Sequence, residues 1–177
     1  MVALLASLAS VSTAALSPAS VAPAPAPVAA AASAHAAAAS RCATSGLVMW
    51  LNAEGAGTAG SFFYKLEFAN LSGRTCTLMG YPVVSAVDLR GRRVGSSAKR
   101  EVTQKPRTVT LAPLAQATAI VRVTDVGALP ASCHPRTAAG FRVFAPGQTV
   151  SKVVPFPFQT CASASLSAIS VRAIKHA

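Results

Sequence analysis

Two observations predict an all-β fold, an antiparallel sandwich or barrel, for the larger part of this chain. From residue 46 onward, apolar side chains recur with the two-residue period of a strand rather than the longer period of a helix. Short apolar runs are separated at regular intervals by Gly, Pro, Asn or Ser, the residues that form turns. Helix is expected only as short turns near residues 125–129 or 136–139.

The strands can be placed from this alternation. In residues 61–70 the aromatic side chains of Phe62, Tyr64 and Phe68 fall on one side, which is predicted to face the core. Further strands are predicted at residues 47–52, 74–78, 83–89, 107–111, 115–124, 141–144, 150–156 and 166–174. The predicted core consists of Trp50, Phe62, Tyr64, Leu66, Phe68, Leu78, Val87, Leu111, Val121, Val123, Val143 and Ile169.

Turn residues and prolines refine this outline. The pair Arg90-Gly91 lies between two apolar segments and predicts a hairpin turn, because Gly accepts a positive φ without strain. Asn70-Leu71-Ser72 fits an N-glycosylation pattern but is interpreted as a turn. Pro155 and Pro157 each remove a backbone donor, so their strand is predicted to lie at a sheet edge or to contain a bulge.

The beginning of the chain has a different composition. Residues 1–40 contain no Asp, Glu, Lys or Arg, and an apolar run at 2–16 is shorter than the about 20 residues that cross a bilayer. This pattern is typical of a signal peptide. We expect residues 1–36 to be a signal peptide with an Ala/Pro-rich segment, continuing as a tether to residue 40. Residues 41–177 would then form a single domain, secreted or in the cell envelope, with no transmembrane segment.

The cysteines support an oxidising location. An even number of cysteines in an exported chain implies a disulfide framework. Four cysteines permit three pairings, and we favour the sequential one, which closes two loops of roughly 30 residues and adds about 3–4 kcal/mol each. It joins Cys42 to Cys76 and Cys133 to Cys161. No two cysteines have the close spacing of structural zinc sites, so no metal is expected.

Several motifs in order resemble a known family. They are "LEFANLSGRTCTLMGYPVVSAVDLRGRRVG", "VTLAPLAQATAIVRV", Cys133-His134-Pro135, "GFRVFAPGQ" and the closing Cys161. Together they resemble the actinobacterial exported domain-of-unknown-function family numbered 4232. The resemblance implies an immunoglobulin-like β-sandwich of about seven to nine strands with two disulfides, and it implies no established activity. This chain has Pro113-Leu114 where the family has Pro-Gly, and Leu does not readily accept a positive φ.

Catalytic patterns are weak in this sequence. After residue 40 the only histidines are His134, beside a predicted half-cystine, and His176, which is expected to fray at the chain end. Nucleophilic catalysis needs a base beside its nucleophile, and the five acidic residues are scattered. We therefore predict no catalytic residues and no cofactor, and an enzyme is the least favoured class.

Charge is the feature that suggests a ligand. The net charge is +11. Residues 90–107 hold seven basic residues and one acid, and they could form a cationic face that binds an anionic envelope polymer or lipid. The basic residues are Arg90, Arg92, Arg93, Lys99, Arg100, Lys105 and Arg107. The same residues could merely keep the domain in solution, and a structural or adhesion role through contact with an envelope protein is the alternative. Nucleic acid is not expected, since aromatics that would stack on bases are missing there.

Overall fold

The structure, a computed structural model, describes residues 39–177. The signal peptide and almost all of the Ala/Pro-rich tether predicted at the start of the chain lie outside the described residues. No helix within residues 39–177 is both long enough and apolar enough to cross a membrane.

The described residues are mostly strands, joined by turns and three short 3-10 helices. The strands are β1 Leu47–Thr58, β2 Ser61–Asn70, β3 Cys76–Met79, β4 Val83–Val87, β5 Arg93–Ser97, β6 Lys99–Arg100, β7 Thr108–Leu111, β8 Gln116–Thr124, β9 Pro135–Phe144, β10 Ser151–Cys161, β11 Ile169–Val171 and β12 Lys175–His176. The 3-10 helices are Thr44–Gly46, Val126–Ala128 and Ala131–Cys133.

These strands form three sheets. The largest has six strands in the order β1-β2-β8-β11-β6, with β12 paired to β8 beside β11. A four-stranded sheet has the order β10-β9-β4-β5, and β3 pairs with β7 in a two-stranded sheet. All strand pairs are antiparallel except β6 with β11, which is parallel. Buried residues from all three sheets join one hydrophobic cluster, so the sheets share a core.

The all-β antiparallel prediction is therefore confirmed, while the immunoglobulin-like qualifier stays a prediction. Every predicted strand has a counterpart in the structure, several with shifted ends. Residues 136–139, considered as a turn of helix, belong to β9, whereas the helical turn near residues 125–129 is confirmed at Val126–Ala128. β5 and β6 were not among the predicted segments, because their sequences are polar and lack the apolar alternation of a half-buried strand.

The prolines have the effect predicted for them. β10 is an edge strand, and its pairing with β9 shifts register between Pro155 and Phe158. Both the edge position and the bulge accommodate the missing backbone donors. The hairpin prediction is also confirmed, because Gly91 has φ 72° in the turn between β4 and β5.

The predicted core is largely correct, with two exceptions on β1 and β2. Phe62 is 44% exposed, and Trp50 is only half-buried on the face of β1 opposite the buried Met49. The aromatic core is instead built around Phe141, whose ring stacks on Phe158 with centroids 4.4 Å apart. The buried residues of β2 are concentrated in its second half. The first half is less buried than the alternation of its aromatic residues predicts.

Both predicted disulfides are present. Cys42 is bonded to Cys76 and Cys133 to Cys161, with Cα atoms 4.9 Å and 4.8 Å apart. The first ties the segment before β1 to β3, and the second ties the end of β10 to a 3-10 helix. All four sulfurs are buried, in agreement with a structural role.

Candidate anion-binding cleft

A cleft of about 840 Å³ lies beside the six-stranded sheet, between the loop that joins β6 to β7 and the C-terminal segment. Its charged and titratable lining consists of Glu101, Lys105, Arg107, Arg172, Lys175 and His176. The basic side chains outnumber the single acid by four to one. This cleft carries more charged side chains than the smaller cleft at the β4–β5 hairpin, and it is the candidate functional site.

One wall of the cleft is the loop after β6, and three contacts hold it in place. The Glu101 N–H donates to the Val171 carbonyl at 2.9 Å, which continues the parallel pairing of β6 with β11. The Tyr81 hydroxyl lies 3.5 Å from the Gln104 carbonyl. The guanidinium of Arg100 lies over the Tyr81 ring, 5.6 Å from its centroid. The loop therefore starts from a paired strand and is attached at its middle.

The opposite wall is the end of the chain. Lys175 and His176 form β12, in register with Thr118 and Ala117 of β8. The Ile174 N–H donates to the Gly80 carbonyl at 2.9 Å, and the Ile174 side chain is buried. The expectation that His176 frays is thus wrong, because strand pairing and this buried anchor hold the last residues against β8.

Glu101 forms a charge cluster at one side of the cleft. Its carboxylate accepts hydrogen bonds from the Ser170 hydroxyl and from Arg172 Nε at 2.9 Å. Arg122 Nε lies 3.3 Å from the same carboxylate, near enough for an ion pair but not aligned for a hydrogen bond. Burial alone would raise the pKa of Glu101, but the hydrogen bonds from Ser170 and Arg172 and the two arginine charges outweigh it and lower that pKa.

The remaining bases of the cleft have no acidic partner. Among residues 39–177, Lys105, Arg107 and Lys175 lie more than 4.0 Å from every carboxylate oxygen. All three side chains are exposed. Their charges are consequently available to a ligand, whereas the charge of Arg172 is compensated by Glu101.

The predicted basic segment is distributed over two places in the fold. Lys105 and Arg107 line the cleft, and Lys99 and Arg100 form the adjoining strand β6. The other three lie in or beside the β4–β5 hairpin of the four-stranded sheet, namely Arg90, Arg92 and Arg93. That these seven residues act together in binding an anion stays a prediction.

The hairpin has a smaller cleft of its own, of about 390 Å³, lined in part by Arg90 and Arg92. Asp88 accepts hydrogen bonds from the Arg90 and Arg92 N–H groups and from Arg92 Nε at 3.0 Å. The backbone N–H of Arg92 is the main cause that lowers the pKa of the Asp88 carboxyl. Arg92 is thereby fixed in the turn, and its charge is locally balanced.

Arg172 and Lys175, which complete the cleft, were not among the predicted site residues. They lie about 70 residues along the chain from Lys105 and Arg107, and only the pairing of β12 and β11 with β8 brings them near. Their signal in the sequence was three titratable residues within "VRAIKHA" at the chain end. Such a short cluster is common on protein surfaces and does not by itself indicate a site.

The residues considered for catalysis and metal binding remain apart. His134 is exposed, has φ 49° at the end of the helix Ala131–Cys133, and lines neither cleft. Within the described part of the chain, no three His, Cys, Asp or Glu side chains come together as metal ligands. The four cysteines are all consumed by the disulfides.

The fold and the cleft define a disulfide-linked, all-β domain with a basic concave surface. The chain belongs to the family described as Domain of unknown function (DUF4232), whose model matches residues 42–175. A search of curated proteins found no match, and a search of solved structures found none. The family assignment agrees with the resemblance seen in the sequence motifs, and it brings no assigned activity.

Proposed function

We propose that this protein is a secreted, non-catalytic binding domain of the cell envelope, and that its cleft binds the phosphate or carboxylate groups of an anionic wall polymer or lipid. The observation that carries this proposal is the convergence of Lys105, Arg107 and Lys175 without acidic partners. The proposal involves no cofactor and no nucleic acid.

Electrostatics favours an anionic ligand in this cleft. Like charges that line a concave surface concentrate counter-ions and increase their rate of association. Arg presents a planar set of donors that matches phosphate and carboxylate oxygens, and Lys contributes a compact charge. Glu101 keeps the lining of the cleft from being uniformly positive, because it pairs with Arg172 and Arg122. The unpaired Lys105, Arg107 and Lys175 are therefore the groups that would contact the ligand.

Export is supported by the cysteines and by the first residues of the chain. Disulfides persist in oxidising compartments and are rare in the cytosol, and both disulfides here are buried structural links. The apolar run at residues 2–16 fits a signal peptide. These two features come from different parts of the chain and favour the same location.

The proposal can be tested with the full chain produced by secretion. A triple variant, Lys105→Ser with Arg107→Ser and Lys175→Ser, removes the unpaired charges of the cleft. A matched variant, Arg90→Ser with Arg92→Ser and Arg93→Ser, removes the same formal charge from the hairpin. We expect the cleft variant to lose about tenfold or more in affinity for immobilised polyphosphate and for anionic vesicles, whereas the hairpin variant retains most of it.

Raising the salt concentration should weaken binding of the wild type and should matter less for the cleft variant. Equal losses in the two triple variants would show that net charge rather than the cleft is responsible, and the proposal would be wrong. Polyphosphate and vesicles serve as separate probes. Binding of the wild type to polyphosphate favours a wall polymer, and binding to vesicles favours a lipid headgroup.

A second candidate function is a structural or adhesion module that associates with a second copy of itself or with another envelope protein. The observation in its favour is Leu89, which is 96% exposed at the tip of the β4–β5 hairpin beside the smaller cleft. Leu89 lines that cleft together with Ala139 and Pro157, so its side chain belongs to a larger apolar surface, and such surfaces mark protein contacts. Leu89→Ser should then reduce self-association in a size measurement, while the cleft variant should leave it unchanged.

A further inference from the structure

A row of four side chains crosses the outer face of the six-stranded sheet. Trp50 on β1 is in register with Glu67 on β2, Glu67 with Thr118 on β8, and Thr118 with Lys175 on β12. Directly opposed residues of antiparallel strands carry their side chains on the same face. Three strand spacings separate the ends of this row, a length of about 14 Å. The far end, Lys175, also lines the basic cleft.

Trp50 is the single tryptophan of the chain and does not belong to the core. Its neighbour Met49 is buried on the opposite face of β1, so the indole of Trp50 lies on the outer face. It is only half-buried there. An aromatic ring on the solvent side of a sheet offers a flat apolar surface to a ligand without weakening the core.

The two residues between Trp50 and Lys175 have an unusual combination of burial and polarity. Glu67 is 8% exposed and Thr118 is 4% exposed. Within residues 39–177, neither Glu67 Oε2 nor the Thr118 hydroxyl has a hydrogen-bond partner, and both atoms are closed to solvent by the side chains around them. Buried polar groups without partners are costly to a fold and call for an explanation, and a ligand that supplies the missing partner is one such explanation.

The chemistry of the row selects among ligand classes. An apolar peptide would leave the polar groups of Glu67 and Thr118 unpaired. A free phosphate would be repelled by the Glu67 carboxylate. A cation would be repelled by Lys65, two residues before Glu67 on β2, and by Lys175 at the end of the row. A sugar ring satisfies every group, because its C–H face packs on an aromatic ring and its hydroxyls both donate and accept hydrogen bonds.

We propose that Trp50, Glu67 and Thr118 form a carbohydrate-binding row, and that its ligand is a glycan whose anionic groups extend past Lys175 into the basic cleft. In the bound state Trp50 stacks on a sugar ring, and the side chains that cover Glu67 and Thr118 move aside. The Glu67 carboxylate then accepts from one sugar hydroxyl, and the Thr118 hydroxyl donates to or accepts from another. This inference rests on the proposed function and deepens it, since it names the anionic polymer as a glycan.

Calorimetric titration of the full chain tests this inference with three probes. They are a short neutral oligomer of N-acetylglucosamine, an oligomer of the same length that carries carboxylates, and polyphosphate. We expect the neutral oligomer to bind in the calorimetric titration. In a parallel fluorescence titration it should change the emission of Trp50, the only indole in the chain. The carboxylated oligomer should bind more tightly, and Lys175→Ser should remove that advantage.

Three single variants locate the site. Trp50→Ala, Glu67→Gln and Thr118→Val should each reduce affinity for the neutral oligomer about tenfold or more, with little change in polyphosphate binding. Met79→Ala, which truncates an exposed apolar side chain on the two-stranded sheet, is the matched control and should leave sugar affinity unchanged. Thermal unfolding of each variant verifies that it is folded.

The outcomes separate the two proposals. Polyphosphate binding without any affinity for either oligomer would overturn the glycan inference and leave the anionic cleft intact. Sugar binding that is unaffected by Trp50→Ala and Glu67→Gln in folded variants would also overturn the inference. Sugar binding that depends on Trp50 and Glu67 supports the glycan inference. It does so even if the triple cleft variant leaves polyphosphate affinity unchanged, a result that would overturn only the proposed role of the cleft charges.

Discussion

The side-chain amide of Asn70 donates a hydrogen bond to the Leu111 carbonyl at 3.0 Å, which joins the end of β2 to the end of β7. The same amide group also contacts the carbonyls of Arg74 and Ala112, and the Asn70 side-chain oxygen accepts from Ser72. Asn70 is completely buried. One side chain thus links the six-stranded sheet to the two-stranded sheet and stabilises the turn between β2 and β3.

Asn70→Asp should lower the free energy of unfolding by about 2–4 kcal/mol. The substitution keeps the size of the side chain but replaces an amide donor by a carboxylate that faces three carbonyl oxygens. Urea unfolding at neutral pH measures the change. Asn52→Asp on β1 is the matched control, because Asn52 is only half-buried and its side chain contacts the nearby Glu54 N–H. A loss as small as that of the control would contradict this role.

Leu114 adopts a positive φ of 66°, as the third residue of a turn that starts at Ala112. The Ala115 N–H closes this turn on the Ala112 carbonyl at 3.0 Å, and the Leu114 N–H donates to the Asn70 carbonyl at 2.7 Å. The position of Pro113 and the positive φ after it define a type II turn. The turn therefore forms although leucine replaces the glycine of the family's Pro-Gly pair, and the positive φ strains Leu114.

Leu114→Gly should leave the free energy of unfolding unchanged or raise it by up to about 1 kcal/mol, because glycine accepts this φ without the steric cost. The side chain is 74% exposed, so little buried surface is lost. The control is Leu71→Gly, at an exposed leucine without a positive φ, which should lose about 0.5–1 kcal/mol. Chemical denaturation compares the two. Similar losses in both variants would argue against strain at Leu114.

Gly95 on β5 lies against the backbone of Cys161 at the second disulfide. A Cβ atom at Gly95 would overlap the Cys161 carbonyl, and the residue has φ 66°. Gly95→Ala should therefore cost about 2 kcal/mol or more, since the backbone of β5 would have to move. Gly91→Ala is the control, because Gly91 has a similar φ of 72° but its Cβ would meet only the Arg142 side chain at ordinary contact distance. Thermal unfolding of both variants separates the cost of overlap from the cost of φ, and equal losses would contradict the overlap.

Glu101 should make stability depend on pH in the acidic range. Its pKa in the folded protein is lowered from the ordinary value of 4.5, so its contribution is fully present above that value. The contribution is lost as the pH falls through the lower folded-state pKa, because protonation breaks the contacts with Ser170, Arg122 and Arg172. Wild-type stability is therefore expected to fall in this range.

Glu101→Gln should reduce stability at neutral pH and flatten the curve of stability against pH below about pH 4.5. Urea midpoints measured across the acidic range test this expectation. The exposed Glu54 supplies the control, and Glu54→Gln should give a curve parallel to that of the wild type. A Glu101→Gln curve that also runs parallel to the wild type would contradict the linkage.

Much of the fold could be predicted because its signals are local. The two-residue alternation marked most strands, Gly91 marked a hairpin, and the two prolines of β10 marked an edge with a bulge. The even set of cysteines predicted two disulfides, and the sequential pairing was correct. The segment at residues 1–36 lies outside the described residues, so its prediction as a signal peptide remains one.

Tertiary structure alone decided how deeply the residues of each strand are buried and which charges meet. The alternation in residues 61–70 predicts Phe62 in the core, and Trp50 is predicted there too, yet the sheet directs Trp50 outward and leaves Phe62 partly exposed. β5 and β6 escaped prediction because their stability comes from pairing with neighbours rather than from their own apolar pattern.

The sequence by itself determined an all-β, disulfide-linked domain of this family with an excess of positive charge. Only the three-dimensional pairing of β11 and β12 with β8 brought Arg172 and Lys175 to the cleft that Lys105 and Arg107 line. The physical reason is the separation along the chain over which each property acts. Turn formation, alternation and charge are properties of neighbouring residues, whereas a binding surface depends on contacts between strands that are distant in the chain.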